Sequence, residues 1–556
     1  MTDYKKMSLN GMISHAITEN WNRVALADIG GCRYQFGQVA ELVEKIHILL
    51  ESAGVERGDK VAICGRNSAN WAAVFIATIT YGAVAVPILH EFKPDMVQHL
   101  VNHSESKMLF VDKGIWEHLD ENMMPNLLGA VYIVELGMPC CRVKELADAR
   151  EHLNLRFGEK YPRSFSAADV HYEDEQEESL AVINYTSGST GMSKGVMLPY
   201  RSIRNNVLFS IENEDFLKAG DGMVNMLPLA HMYGLVIEML HPFCKGCNCN
   251  FLTKLPSPKV IMSAFAQVRP KLIITVPLIL EKIIQGKVFP MLEEPKIKLL
   301  LHLPVIDRKV LAKVRAGLMN VFGGQLQELI IGGAPLNPDV AAFLRRINFP
   351  VTVGYGMTEC GPMISYAPWH SNPPRACGRP IDGMEVRVDS PDPAHVPGDL
   401  WVKGVNVMKG YYHNEEATRE VMPDDSGWMN TGDMCTVSPD GFITISGRSK
   451  TMILGPSGQN IYPEEIEQKL NNMPYVAESL VIEDGGKLVA LLHPDYDAAI
   501  KDGIDTAAIR KKMEQNLAAA NKELPAYSKL SGFQIMEEEF EKTPKRSIKR
   551  FLYQKK

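Results

Sequence analysis

The chain of 556 residues has no unbroken apolar run of membrane-spanning length. One window approaches it: WAAVFIATITYGAVAVPIL, 71–89, is uncharged over 19 residues, near the length a spanning helix needs. Gly82 and Pro87 break it, and two threonines and a tyrosine dilute it. It therefore predicts a buried helix, Ser68 to Tyr81, then a buried strand, Ala83 to Pro87. The opening MTDYKKMSLNGMISH lacks an apolar h-region behind its lysines, so no secretory signal is expected. The ten cysteines then read as reduced thiols of a cytoplasmic protein. A strong excess of either charge is also missing. The 59 basic and 66 acidic side chains leave a net −7, so no global field invites nucleic acid. No internal period is evident, which argues against a repeat architecture.

What is present is an ordinary globular composition, 46% hydrophobic and 22% charged. Helical patterns alternate with short β-branched runs such as Lys60–Cys64 and Lys107–Val111, the pattern of α/β layers. EDEQEE, 173–178, reads as a solvated acidic linker. Further strands are expected at Leu180–Ile183, Lys271–Val276, Glu328–Ile331 and Val351–Gly354. The later ones end in Gly, Pro or Thr, as at a ligand-binding sheet edge. Beyond about 450 the texture changes to a helix (Glu464–Asn472), a hairpin turning at Asp484-Gly485-Gly486, and a helix from Thr506 to Asn521. The expected division is a large N-terminal body, 1–447, a hinge at 448–450, and a small α+β C-terminal lid, 451–556.

YTSGSTGMSKG, 185–195, is the densest chemical signal. Its glycines let backbone N–H groups converge on an anion. Hydroxyls at Thr186, Ser187, Ser189 and Thr190 add donors, and Lys194 adds a point charge. This is equipment for a polyphosphate. It is not a Walker A loop, which places Ser or Thr after the lysine; here Ser193 precedes Lys194 and Gly195 follows it. Val196-Met197-Leu198 reads as a returning strand, giving a strand–loop–strand flap.

YTSGSTGMSKGV resembles the signature loop of the adenylate-forming, AMP-binding superfamily of acyl-CoA synthetases, adenylation domains and beetle luciferases, with Ser193 where proline is usual. Five more blocks follow in that family's order: LPLAHMYG (227–234), GGAPL (332–336), GYGMTE (354–359), NTGD (430–433) and GRSKTMILGPSGQNIYPEEIE (447–467). The resemblance implies two half-reactions: a carboxylate displaces pyrophosphate from ATP to give an acyl-adenylate, and a thiol then displaces AMP. Positioning and charge neutralisation carry such chemistry.

Residue by residue, the resemblance implies that Gly188, Gly191 and the flap hydroxyls hold phosphates. Gly332, Gly333 and Ala334 pass the adenine edge. Gly354, Tyr355, Gly356 and Met357 form the nucleotide wall, with Tyr355 offering a flat face to adenine. Thr358 contacts the α-phosphate, and Glu359 is the candidate Mg²⁺ ligand, since this hard cation prefers oxygen. Asp433 would accept the ribose hydroxyls and Arg448 would contact ribose and phosphate. Lys450 marks the hinge; Gly455, Ser457 and Gly458 would face the thiol substrate. His231 would stand beside the acyl carboxylate as a positioning or electrostatic residue, because that carboxylate is already ionised at neutral pH.

One block departs from the family. K-T-P-x-G-K appears here as KTPKRSIKR, 542–550, with Ser547 in place of the final lysine. Two readings follow: the chain binds nucleotide and acid without activating them, or Lys545 or Lys549 substitutes. Both lie two residues from Ser547 and share its side in an extended segment. The basic tail is otherwise a solvated end or a weak attraction to an anionic membrane surface. LPLAHMYGLVI, 227–237, contains no acid to hold an amino group, so an amino acid substrate is disfavoured. GRSKTMILGPSGQNIYPEEIE, 447–467, most resembles the long-chain fatty acyl-CoA ligases, implying fatty acid, ATP and CoA as substrates, with a carrier-protein thiol as the alternative acceptor. His241, Cys244, Cys247 and Cys249 have a C-x-x-C-x-C spacing without a second distant pair, and read as structural thiols rather than a zinc site; Cys140-Cys141 is read the same way.

Overall fold

The computed structural model describes residues 3–187, 193–254, 257–303, 306–454, 460–542 and 548–554, with the side chains of Ser187, Asn460 and Ala507 excepted. The chain forms two compact units. The first comprises Met1–Thr186, Lys194–Glu385 and Lys403–Gly427; the second is built mainly from Val386–Val402 and Trp428–Lys556.

The first unit is layered α/β. Its largest sheet has seven strands in the order Cys140–Cys141, Gly129–Tyr132, Ser106–Val111, Lys60–Cys64, Val84–Ile88, Leu180–Ser187 and Ser193–Pro199. The inner pairings are parallel. Parallel strands covered on both faces read as continuous apolar runs, and Val84–Ile88 is buried throughout. The helix before it, Ala69–Tyr81, is buried almost all round; Ser68 caps its start by accepting from Trp71 N, and Gly82 ends it at φ +86°. That is the physical origin of the long uncharged window. A second sheet runs Gly222–Asn225, Asn248–Phe251, Val24–Asp28, Arg33–Gln35. A third, wholly parallel, runs Leu272–Thr275, Glu328–Ile331, Val351–Val353.

The acidic run 173–178 is not a solvated linker. Buried Glu175 accepts from Leu9 N at 2.6 Å and Asn10 N at 3.1 Å, at the start of the helix Leu9–Glu19. A carboxylate there satisfies orphan N–H groups and complements the helix dipole. Glu178 pairs with Arg201 at 2.8 Å and Lys409 at 3.3 Å. The charges are bought into specific contacts that composition alone does not reveal.

Met384–Asp389, Gly398–Gly404, Met429–Val437 and Ile443–Arg448, most of whose residues belong to the second unit, form a four-stranded sheet. A three-stranded sheet follows, with Val476–Asp484 paired antiparallel to Lys487–Pro494, and the latter parallel to Gly532–Ile535. The hairpin turns on Gly485 and Gly486, both at positive φ (60° and 75°), as a two-residue turn of this hand requires. The helices Pro463–Asn471 and Thr506–Glu523 pack on this sheet around Leu470, Leu492, Met513 and Ala520. The basic tail is tied down: Arg550 bonds Glu467, Lys542 meets Glu478 at 2.8 Å, and Glu541 N donates to the Tyr553 hydroxyl at 2.8 Å. Among the described residues, no helix is long and apolar enough to cross a membrane.

Candidate functional site

Strands Leu180–Ser187 and Ser193–Pro199 flank the glycine–hydroxyl loop as the sequence predicts. Gly188, Ser189, Thr190 and Gly191, and the side chain of Ser187, lie outside the described residues. Thr186 is half-buried at the end of the first strand. Lys194 begins the return, with its Nζ 4.9 Å from the centroid of the Tyr411 ring and 3.9 Å from a carboxylate oxygen of Glu420. The returning strand is stitched to 409–412: Lys409 N donates to Met197 O, Met197 N to Gly410 O, and Tyr412 N to Gly195 O, at 2.9, 3.0 and 2.7 Å.

Two parallel strand ends bring the glycine blocks together. Ile331 pairs with Val353, and Gly354 N donates to Ile331 O at 2.9 Å. Gly332-Gly333-Ala334 and Gly354-Tyr355-Gly356 therefore leave adjacent strands at the C-terminal sheet edge, where open α/β sheets bind ligands. Gly333 stands at φ +83°, and it and Ala334 are exposed. A Cβ on Gly332 would lie 2.9 Å from the Tyr233 ring, and one on Gly356 only 2.1 Å from Pro362 O. Glycine is required at both places by close approach.

Met357 precedes the short turn Thr358–Cys360. Thr358 is half-buried and Glu359 is buried at 9% exposure. The Tyr411 hydroxyl donates to Glu359 Oε1 at 2.9 Å, and Met408 N donates to Glu359 O at 2.9 Å. Burial, then the Glu359 charge, pushes the Tyr411 hydroxyl pKa far up, so it stays a donor. A buried carboxylate with one oxygen left beside its bond to Tyr411 is a hard oxygen donor of the kind Mg²⁺ takes.

His231 is half-buried at the head of the π-helical segment Tyr233–Leu240. Two asparagines clamp its loop. Asn67 donates to Leu227 O at 2.6 Å and accepts from Leu229 N at 2.9 Å, while Asn184 donates to Ala230 O at 2.8 Å. The Tyr233 hydroxyl reaches Ile330 O at 3.2 Å. The segment carrying His231 is thus tied to the flap strand through Ala230 and to the strand feeding Gly332 through Tyr233. The first acid beyond this apolar stretch, Glu238, is buried and accepts from Met226 N and Leu227 N at 3.1 and 2.9 Å, so it braces the loop. Burial pushes its pKa well up.

In the second unit, Asp433 and Arg448 are register partners, with Nε 3.2 Å from Oδ1. Asp433 N donates to Thr431 Oγ1 at 3.1 Å, and Ser449 N to Gly432 O at 3.0 Å. Lys450 is exposed in the turn that follows. Gly455, Ser457 and Gly458 lie outside the described residues, as do Lys545 and Ser547. Lys549 is described, its Nζ 3.2 Å from Glu541.

Cys244, Cys247 and Cys249 are buried core thiols. Burial pushes all three up, Cys247 to about 12. Burial also pushes His241 down to about 3.

The sequence reading missed Asn67, Asn184, Tyr411 and Glu420. The asparagines lie outside every signature block. The tyrosine stands in GYYHNEE, whose pairing with the flap strand is visible only in the fold.

Two family profiles match: AMP-binding enzyme over residues 13–412 and AMP-binding enzyme C-terminal domain over 450–556. The chain belongs to the AMP-binding enzyme family. It is similar to long-chain-fatty-acid–CoA ligase FadD15 of Mycobacterium bovis, 27% identical over 82% of this chain and 76% of that protein. It is also similar to long chain acyl-CoA synthetase 7, peroxisomal, of Arabidopsis thaliana, 28% identical over 84% of this chain and 70% of that one. Among solved structures, the fold matches anthranilate CoA ligase AuaEII in complex with anthranoyl-AMP, with a TM-score of 0.77 at 18% identity, covering 99% of this chain and 98% of that chain. It matches ATP-bound MatB from Rhodopseudomonas palustris with a TM-score of 0.74 at 22% identity, covering 98% of each chain.

Proposed function

We propose that the protein activates a fatty acid with ATP to an acyl-adenylate and transfers the acyl group to CoA, releasing pyrophosphate and then AMP. The observation that carries this reading is the Glu359–Tyr411–Lys194 chain, which links a buried carboxylate to the flap lysine. It supports a site built for a polyphosphate and its counter-cation. In this reading the flap hydroxyls and Lys194 bind the β- and γ-phosphates. Thr358 donates to the α-phosphate, and the Gly332–Ala334 and Gly354–Met357 strips wall the adenine. Asp433 and Arg448 take the ribose. Mg²⁺, held through Glu359, would offset phosphate charge. His231 orients the attacking carboxylate of the acid. Lys545, or Lys549 once it releases Glu541, contacts the leaving phosphate in place of the family lysine whose position Ser547 occupies. The segment 448–450 acts as the hinge for the second half-reaction, with Gly458 toward CoA.

The buried apolar side chains Leu235, Val236, Ile237, Met239 and Leu240 support an apolar acid, and the fatty acyl relatives favour a fatty one. Ten free thiols are in keeping with a reducing compartment such as the cytoplasm. The test is product analysis with a panel of acids and two acceptors, CoA and an acyl-carrier protein. Acyl-CoA from long aliphatic acids is expected; thioester on the carrier alone transfers the reading to the other acceptor.

A further inference from the structure

The segment 408–412 touches two parts of the site at once. Through its backbone it holds the flap strand at Gly195 and Met197, and it reaches Glu359 O through Met408 N. Through one side chain it does the same again. Tyr411 is buried at 7% exposure, its hydroxyl on Glu359 Oε1 at 2.9 Å and its ring face 4.9 Å from the Lys194 ammonium. The geometry leaves little play, because Tyr411 N donates to Thr418 Oγ1 at 2.9 Å, and Thr418 Oγ1 donates to Asn414 O at 2.9 Å. The Glu359 carboxylate can turn about its terminal torsion unless a donor fixes one oxygen. A phenol donates once, so it fixes Oε1 and sets the direction of Oε2. The same ring attracts a cation to its face, which draws Lys194 toward that carboxylate.

We propose that Tyr411 is a positioning residue that aims Glu359 and seats Lys194, so that the cation ligand and the flap lysine form one preorganised set. This rests on the proposed function, and specifically on Glu359 as a cation ligand.

The test uses the full chain with ATP and no acid, and reads Mn²⁺ uptake by the protein as the loss of the free-ion electron paramagnetic resonance signal beyond that caused by the same ATP alone. Tyr411→Phe keeps the ring and removes only the donor. The half-saturating Mn²⁺ concentration is expected to rise about tenfold, consistent with losing a hydrogen bond to a charged group, with the thermal midpoint and metal-free ATP affinity unchanged. Thr418→Val loosens the segment from behind and is expected to shift uptake in the same direction by a smaller factor; it carries the test where Tyr411→Phe fails to fold. Wild-type Mn²⁺ uptake in the folded variant overturns the assignment. Glu359→Gln separates the two claims. Lost uptake there with unaltered uptake in Tyr411→Phe removes only Tyr411, whereas wild-type uptake in Glu359→Gln removes the cation reading itself.

Discussion

Asp433 and Arg448 face each other across paired antiparallel strands, Nε 3.2 Å from Oδ1, yet their surroundings differ sharply. The aspartate side chain is 10% exposed and the arginine 69%. An ion pair with one solvated partner adds little to stability, about 0–1 kcal/mol. Under the proposed function, the fixed carboxylate is a preset acceptor for the ribose hydroxyls.

Asp433→Ala is expected to raise the KM for ATP roughly tenfold or more, the cost of losing a charged hydrogen-bonding partner, while moving the thermal midpoint little. Steady-state kinetics beside a thermal melt checks both halves. A large loss of stability with unchanged KM contradicts the assignment.

Gly356→Ala places a methyl 2.1 Å from Pro362 O, a backbone atom that cannot step aside. The strand end carrying Met357, Thr358 and Glu359 must shift. ATP binding measured by calorimetry should fall by an order of magnitude or more. At half-buried Gly432, φ +71° with nothing within 4 Å of an added Cβ, alanine meets only backbone strain, so its effect should be smaller, about 1 kcal/mol.

Glu467 gives the second unit a pH dependence. Burial pushes its carboxyl up to about 7, with Arg550 opposing the shift. A carboxyl raised in the folded state favours folding while protonated. Its contribution is full below the unfolded value, near 4.3, and is lost as pH climbs through 7. Glu467→Gln should flatten the stability profile between pH 5 and 8, removing a slope on the order of 3 kcal/mol. Hydrogen exchange in the helix Pro463–Asn471 reads this locally. An unchanged profile in the variant contradicts the account.

Lys545→Ala and Lys549→Ala test which cation serves in place of the family lysine whose position Ser547 occupies. One of them should slow acid-dependent pyrophosphate release by at least tenfold, while leaving thioester formation from supplied acyl-adenylate nearly intact. Unaltered release in both removes the substitution.

His231→Ala should lower the rate of adenylation while leaving its pH profile flat above pH 6, because the attacking carboxylate needs no base. A dependence on pH between 6 and 8 in the wild type that His231→Ala removes assigns His231 proton transfer instead.

The layered α/β order was legible because buried parallel strands and a buried helix have local signatures: Lys60–Cys64 and Glu328–Ile331 fall at the expected residues, and the Gly485-Gly486 turn follows from its dipeptide. The glycines were legible because close approach excludes a side chain. What the sequence hid is long-range. Glu175 reads as one charge in an acidic run until Leu9 and Asn10 are seen to donate to it from 166 and 165 residues away. Tyr411 and Asn184 are ordinary residues locally and acquire their roles from strand pairing. Asp433 and Arg448 carry no local signal either; only the family's blocks pointed to them.

The most direct measurement is ATP–pyrophosphate exchange by the purified protein with magnesium and each of a series of fatty acids, CoA absent. The account predicts exchange that requires acid, with acyl-AMP recoverable from the quenched mixture, and its loss in Glu359→Ala. Nucleotide that binds but never exchanges with any acid of the series contradicts it.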